Sequence, residues 1–89
     1  MFAFQVTIAA SATPQVLPNN PFKGQITLLA KSGNTASIEI GTAASVTTST
    51  GAILEKGTSA IISAEGSNSN TNNIYIVGTS GDVLSVIGA

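Results

Sequence analysis

The 89 residues are 43% hydrophobic and only 8% charged, with three Lys (Lys23, Lys31, Lys56) against four acids (Glu39, Glu55, Glu65, Asp82) and a formal net charge of -1. The chain has no His, Cys, Trp or Arg, so thiolate and imidazole metal sites, disulfides and His-dependent nucleophilic triads are excluded within one chain. Three scattered Lys cannot neutralise a run of phosphates, which speaks against electrostatic nucleic-acid binding.

Period two dominates the chain. Phe2, Phe4, Val6 and Ile8 share one phase and Ala3, Gln5, Thr7 and Ala9 the other, which predicts a first strand with one apolar face. Met1–Ala12 has Ala10-Ser11-Ala12 at its end. No Lys or Arg precedes the apolar run, and Gln5 and Thr7 interrupt it, so it reads as part of the fold and not as a targeting signal. Residues 10–21 contain Pro14, Pro18 and Pro21 and read as a loop or extended connector, because proline lacks the donor that a ladder needs.

A second strand is predicted over Phe22–Lys31, with Phe22, Ile26, Leu28 and Ala30 in one phase and Leu29 as an apolar residue on the opposite face. Ser32-Gly33-Asn34-Thr35 marks a turn. Ala36, Ile38 and Ile40 make a third strand with Ser37 and Glu39 outward. Weaker strand character follows at Ser45–Thr48, then a turn at Ser49-Thr50-Gly51. Ala52–Leu54 is another short strand and Glu55-Lys56-Gly57 another turn. Residues 59–64 place Ile61 and Ile62 on opposite faces, and the β-branched pair favours strand over helix. The polar run from Gly66 to Asn73 predicts a mobile tip or long loop. Ile74–Val77 and Val83–Ile87 close the set, joined at Gly78-Thr79-Ser80-Gly81-Asp82 by a hairpin-type turn. Short strands punctuated by glycine turns predict one all-β domain over residues 1–89. It is a small antiparallel β-sandwich or barrel of seven to eight short strands, with 1–21 as a strand or arm plus connector and 22–89 as the body. No apolar stretch is long enough for a transmembrane helix.

Few constellations carry chemistry. The four carboxylates lie in different segments, and nothing in their spacing pairs two of them for general acid–base work. For Ca²⁺, Asp82 beside Gly81 is isolated and Glu65 beside the Asn-rich run is the better candidate, with a plain loop as the simpler reading. Gly78-x-x-Gly81 follows no strand-to-helix junction and is no phosphate cradle. The residues thus imply no catalytic group, no cofactor and no metal.

What remains is surface. The 11 Ser, 11 Thr and 7 Asn make a polar but neutral exterior, cheaper to desolvate than charge and so suited to packing against protein. A small chain without disulfides or metals also gains stability by associating with copies of itself. Phe2, Phe4, Val6 and Ile8, with Leu29 on its off-phase face, are the candidate oligomer or partner interface. The first strand reads either as an arm added to a neighbouring subunit's sheet or as an ordinary first strand with its rings in its own core.

From Ser32 onward the punctuation is Asn34-Thr35, Ile38-Glu39-Ile40-Gly41, Ser49-Thr50-Gly51, Leu54-x-x-Gly57, Asn73-Ile74-Tyr75, Gly78-Thr79-x-Gly81-Asp82 and Val86. This run resembles a small β domain of tailed-bacteriophage structural proteins, most of all the capsid decoration, or cement, proteins. The resemblance implies a homotrimer on the outer surface of the virion, made in the host bacterial cytoplasm. There it clamps copies of the major capsid protein and contacts neither nucleic acid nor membrane. The alternative is a tail, fibre or spike module for host-surface glycans, for which the only recognition loop is Asn68, Asn70, Asn72 and Asn73 with Tyr75. A bacterial surface or pilus subunit is a third reading, disfavoured by the missing secretion signal.

Overall fold

A computed structural model describes residues 2–42, 51–63 and 69–88. The strands are β1 (Phe2–Thr7), β2 (Gln15–Val16), β3 (Pro21–Phe22), β4 (Gln25–Ala30), β5 (Ile38–Gly41), β6 (Ala52–Leu54), β7 (Ser59–Ser63), β8 (Ser69–Asn70), β9 (Tyr75–Val77) and β10 (Val83–Gly88), with one 3-10 turn at Thr71–Asn73. Sheet A has the order β1-β10-β4-β7, sheet B has β2-β9-β5-β6, and β3 pairs with β8. Every pairing is antiparallel. The all-β expectation therefore holds. The predicted strand at Ser45–Thr48 lies outside the described residues.

Alternation explains which side of each strand is dry. Ile26, Leu28 and Ala30 of β4 face the same side as Leu84 and Val86 of β10, and all five are buried. They share one core with Ile38, Leu54, Ile74 and Ile76 from around sheet B and with Val6, Ile8, Leu17 and Phe22. A leucine or isoleucine at such a site contributes about 2–5 kcal/mol relative to alanine. Phe2 and Phe4, half-buried, pack on this core with their rings stacked 5.9 Å apart. Phe2 sits across the ladder from Gly88. A Cβ at Gly88 would come within 2.6 Å of the Phe2 ring and 2.5 Å of Ile26, so the bare backbone there is the seat of the ring.

Three expectations need correction. The Gly78–Asp82 segment is not a hairpin, because β9 belongs to sheet B and β10 to sheet A. It arches between the layers, with Gly81 at φ 92°. The segments after β1, β4 and β6 also cross between the sheets, so β5–β6 is the sole pair of consecutive strands that share a ladder among the described residues. Second, Glu39 faces away from the core, as its phase predicts, but is not exposed to solvent. It lies opposite Val77 and Ile53 on the face of sheet B away from the core, and it is buried, as is Val77. Third, the connector and the Asn-rich run both contain structure. Pro21 and Phe22 pair with Asn70 and Ser69, and the Thr71 side chain is fully buried. Its hydroxyl donates to the Pro18 carbonyl and accepts from the Asn20 amide at 3.0 Å, while the Thr71 amide donates to the Asn20 carbonyl at 3.0 Å. The proline-rich segment and the Asn-rich segment thus supply each other's missing backbone partners.

Thr71→Val keeps the shape of the side chain but removes the part-buried hydrogen bonds to the Asn20 amide and the Pro18 carbonyl. It is expected to lower the unfolding free energy by about 1–3 kcal/mol in urea titration. Thr71→Ser should retain most of that stability, and a fully stable Thr71→Val protein would remove the hydroxyl from the account.

Candidate functional site

No strand of sheet A contains a charged residue: the four read FAFQVT, QITLLA, SAIIS and VLSVIG. Register sets their outward side chains in rows. Ala3, Ile87, Thr27 and Ile61 form one row straight across the sheet, and Gln5, Ser85, Leu29 and Ser59 form the next. Ile61 is 63% exposed, Ile87 52% and Leu29 39%. The face is therefore neutral and studded with aliphatic side chains, and the hydroxyl and amide groups between them cost little to desolvate beside ionised ones. At its far end a groove of about 480 Å³ opens between Leu29, Lys31, Asn34 and Val83, which puts Lys31 at the rim.

The loop that carries Lys31 is fixed by two side chains. Asn34 is buried and donates through Nδ2 to the Val83 carbonyl at 3.0 Å, while its Oδ1 accepts from the Val83 amide at 2.9 Å. A side-chain amide here plays the part of a strand residue beside the start of β10. Asp82, also buried, accepts from the Thr35 amide at 2.8 Å and from the Ala36 amide at 3.1 Å, one bond to each carboxylate oxygen. The Thr35 amide is the main reason that the Asp82 carboxyl lies below its ordinary range; burial opposes it, and Ala36 and the charge of Lys56 assist. Asp82 thus clamps one inter-sheet arch to the other and is spoken for as a cation ligand. Glu39 moves the other way, since burial raises its carboxyl above the usual range and its own backbone amide offsets only part of that.

The candidate interface residues separate on this scaffold. Val6 and Ile8 are consumed by the core, Phe2 and Phe4 are half-buried on its margin, and Leu29 stands on the outward face. The first strand is paired with β10 of its own chain. Ile61 and Ile87, absent from the candidate set, are the most exposed aliphatic residues of the same face. Their signal was the off-phase position of each in its strand, the signal that picked out Leu29. In the candidate recognition loop, Asn68 lies outside the described residues, as does Glu65. Asn70 spends its Oδ1 on the Asn72 amide at 3.1 Å. Asn72 and Asn73 are exposed, and Tyr75 is half-buried. No group of three metal-ligating acidic, His or Cys side chains occurs among the described residues. Comparison with protein-family models, with curated proteins and with solved structures yields no match.

The two carboxylates predict opposite pH signatures. Folding lowers the affinity of Asp82 for its proton, so its contribution is complete above about pH 4 and fades as pH falls toward the lower folded value. Asp82→Asn should be less stable than the parent at neutral pH, and the gap should narrow on acidification. Folding raises the affinity of Glu39 for its proton, so stability is lost as pH climbs from the ordinary carboxylate range to the higher folded value. Glu39→Gln should therefore be more stable at neutral pH, with that advantage vanishing in acid. Denaturant titrations across the acid range read both, and parallel pH profiles for the two variants would contradict the assignment.

Proposed function

We propose that this chain is a virion structural protein of a tailed bacteriophage, a capsid decoration protein that binds the outer surface of the assembled shell and stabilises it by bridging neighbouring capsid subunits. The observation that carries the reading is the uncharged outward face of sheet A, whose aliphatic and hydroxyl side chains suit burial against another protein. The resemblance of its strand-and-turn punctuation to that of cement proteins supports it. So does the scarcity of groups that could perform chemistry. The physical action is linkage: a protein that binds the assembled shell and not its free subunits shifts the equilibrium toward the shell, and repeated contacts around the particle add avidity. The glycan-binding alternative is less favoured, because Asn70 is already used to cap its own turn.

Purified protein added to expanded shells that lack it is expected to sediment with them and raise the temperature at which they release DNA. Ile87→Glu, on the exposed face, should abolish this addition while shifting the stability of the free protein by no more than about 0.5 kcal/mol. Failure to add to expanded shells, or an Ile87→Glu protein that adds as well as the parent, would contradict the reading.

A further inference from the structure

The backbone of β1 is half used. The Ile8 amide donates to the Asp82 carbonyl at 2.8 Å, and the Ile8 carbonyl accepts from the Gly81 amide at 2.9 Å. Peptide groups alternate in direction along a strand, so Phe2, Phe4 and Val6 also turn theirs toward β10, while Ala3, Gln5 and Thr7 turn theirs to the open edge of sheet A. One end of that edge is closed. The Gln15 side chain donates through Nε2 to the Thr7 carbonyl at 3.2 Å and accepts through Oε1 from the Ala9 amide at 3.0 Å. The other end, at Ala3 and Gln5, has no such cover among the described residues. Nor does β1 carry the usual guards of a free edge, since FAFQVT contains no Lys, no Pro and no other charge.

We propose that the Ala3–Gln5 edge pairs with the same edge of a second copy of this chain, antiparallel about a two-fold axis at Phe4. The register follows from the groups that remain free. With Phe4 opposite Phe4, Ala3 of each copy faces Gln5 of the other, and each such pair exchanges both of its N–H···O bonds. A register centred on Gln5 would oppose Ala3 to Thr7, whose carbonyl Gln15 already holds. The Phe4 register also places the half-buried rings of Phe4 side by side at a closely spaced position of the ladder, and Phe2 beside Val6 of the other copy, where aromatic pairs gain contact beyond simple burial. The interface is isologous and closes on itself, so it stops at two copies. Sheet A becomes a continuous sheet spanning both copies. Its two outward faces, with Ile87, Leu29 and Ile61, lie on the same side. This inference does not rest on the virion reading, and a two-fold pair differs from the three-fold assembly that the cement-protein resemblance implies.

Proline substitution on this strand distinguishes the surface from the fold. The amides of Ala3 and Gln5 face away from β10, so Ala3→Pro and Gln5→Pro remove no bond among the described residues and sit where edge strands tolerate proline. Each removes one donor per copy from the proposed pairing. Sedimentation equilibrium of the purified full chain should show a dimer. Its dissociation constant should rise about 10- to 100-fold in either variant, with the β circular dichroism of the parent retained. Hydrogen exchange on the unmodified chain provides an independent reading that needs no variant. The Ala3 and Gln5 amides should be protected in proportion to the dimer fraction, and should become exposed on dilution. A monomer at all concentrations, a trimer, a dimer unaffected by both prolines, or Ala3 and Gln5 amides that exchange freely in the associated protein would each overturn the proposal.

Discussion

β10 is the strand on which the rest of the structure depends. It alone is paired on both sides by six- and five-residue registers, to β1 and to β4, and its buried Leu84 and Val86 stand at the middle of the core. The position of its first residues is set by Asn34 and Asp82, which tie them to the loop between β4 and β5. The same few atoms therefore fix the register of sheet A and the separation of the two sheets. A charge-assisted clamp is well suited to this task, because a carboxylate accepting backbone amides is stronger and more directional than a neutral bond. The cost is dependence on acid, which Glu39, shifted in the opposite sense, partly counters.

Sheet A is unusually poor in charge. Its strands include no charge, and the Lys and acidic residues of the described chain lie in turns, loops and sheet B. Soluble domains ordinarily intersperse both signs over such a face and guard their outer strands. Here the outward rows hold Ile61, Ile87 and Leu29 among Ser, Thr and Gln. A face of this composition is inexpensive to cover, because its polar groups are neutral.

Much of the fold was legible in the alternation. Phe2-Phe4-Val6-Ile8, Ile26-Leu28-Ala30 and the Ile61/Ile62 split all fell on the sides that periodicity predicts, since a two-residue repeat is a direct readout of the pleat. Connectivity was not legible. Gly78–Asp82 has the residues of a hairpin turn, but turn chemistry reports local backbone angles and not which sheet the next strand joins. The burial of Glu39 and Thr71 was hidden for a related reason. Each is a polar residue at a position whose partners lie far away in sequence, Val77 for one and Pro18 with Asn20 for the other. The candidate surface was half legible: Leu29, Ile87 and Ile61 are all off-phase in their strands, but only the register shows that Ile87 and Ile61 lie in one row. Phe2 and Phe4 were read as candidate interface residues; their rings pack on the margin of the chain's own core.

The proposed role puts this protein on the outside of a shell, held there through the neutral face of sheet A. Cryo-electron microscopy of the intact native particle tests it most directly. Density for this chain is expected on the outer capsid surface, with the Ile87–Ile61 face of sheet A turned toward the capsid subunits. Density confined to the tail or fibres, or a capsid-bound chain whose sheet A face is turned to solvent, would contradict it.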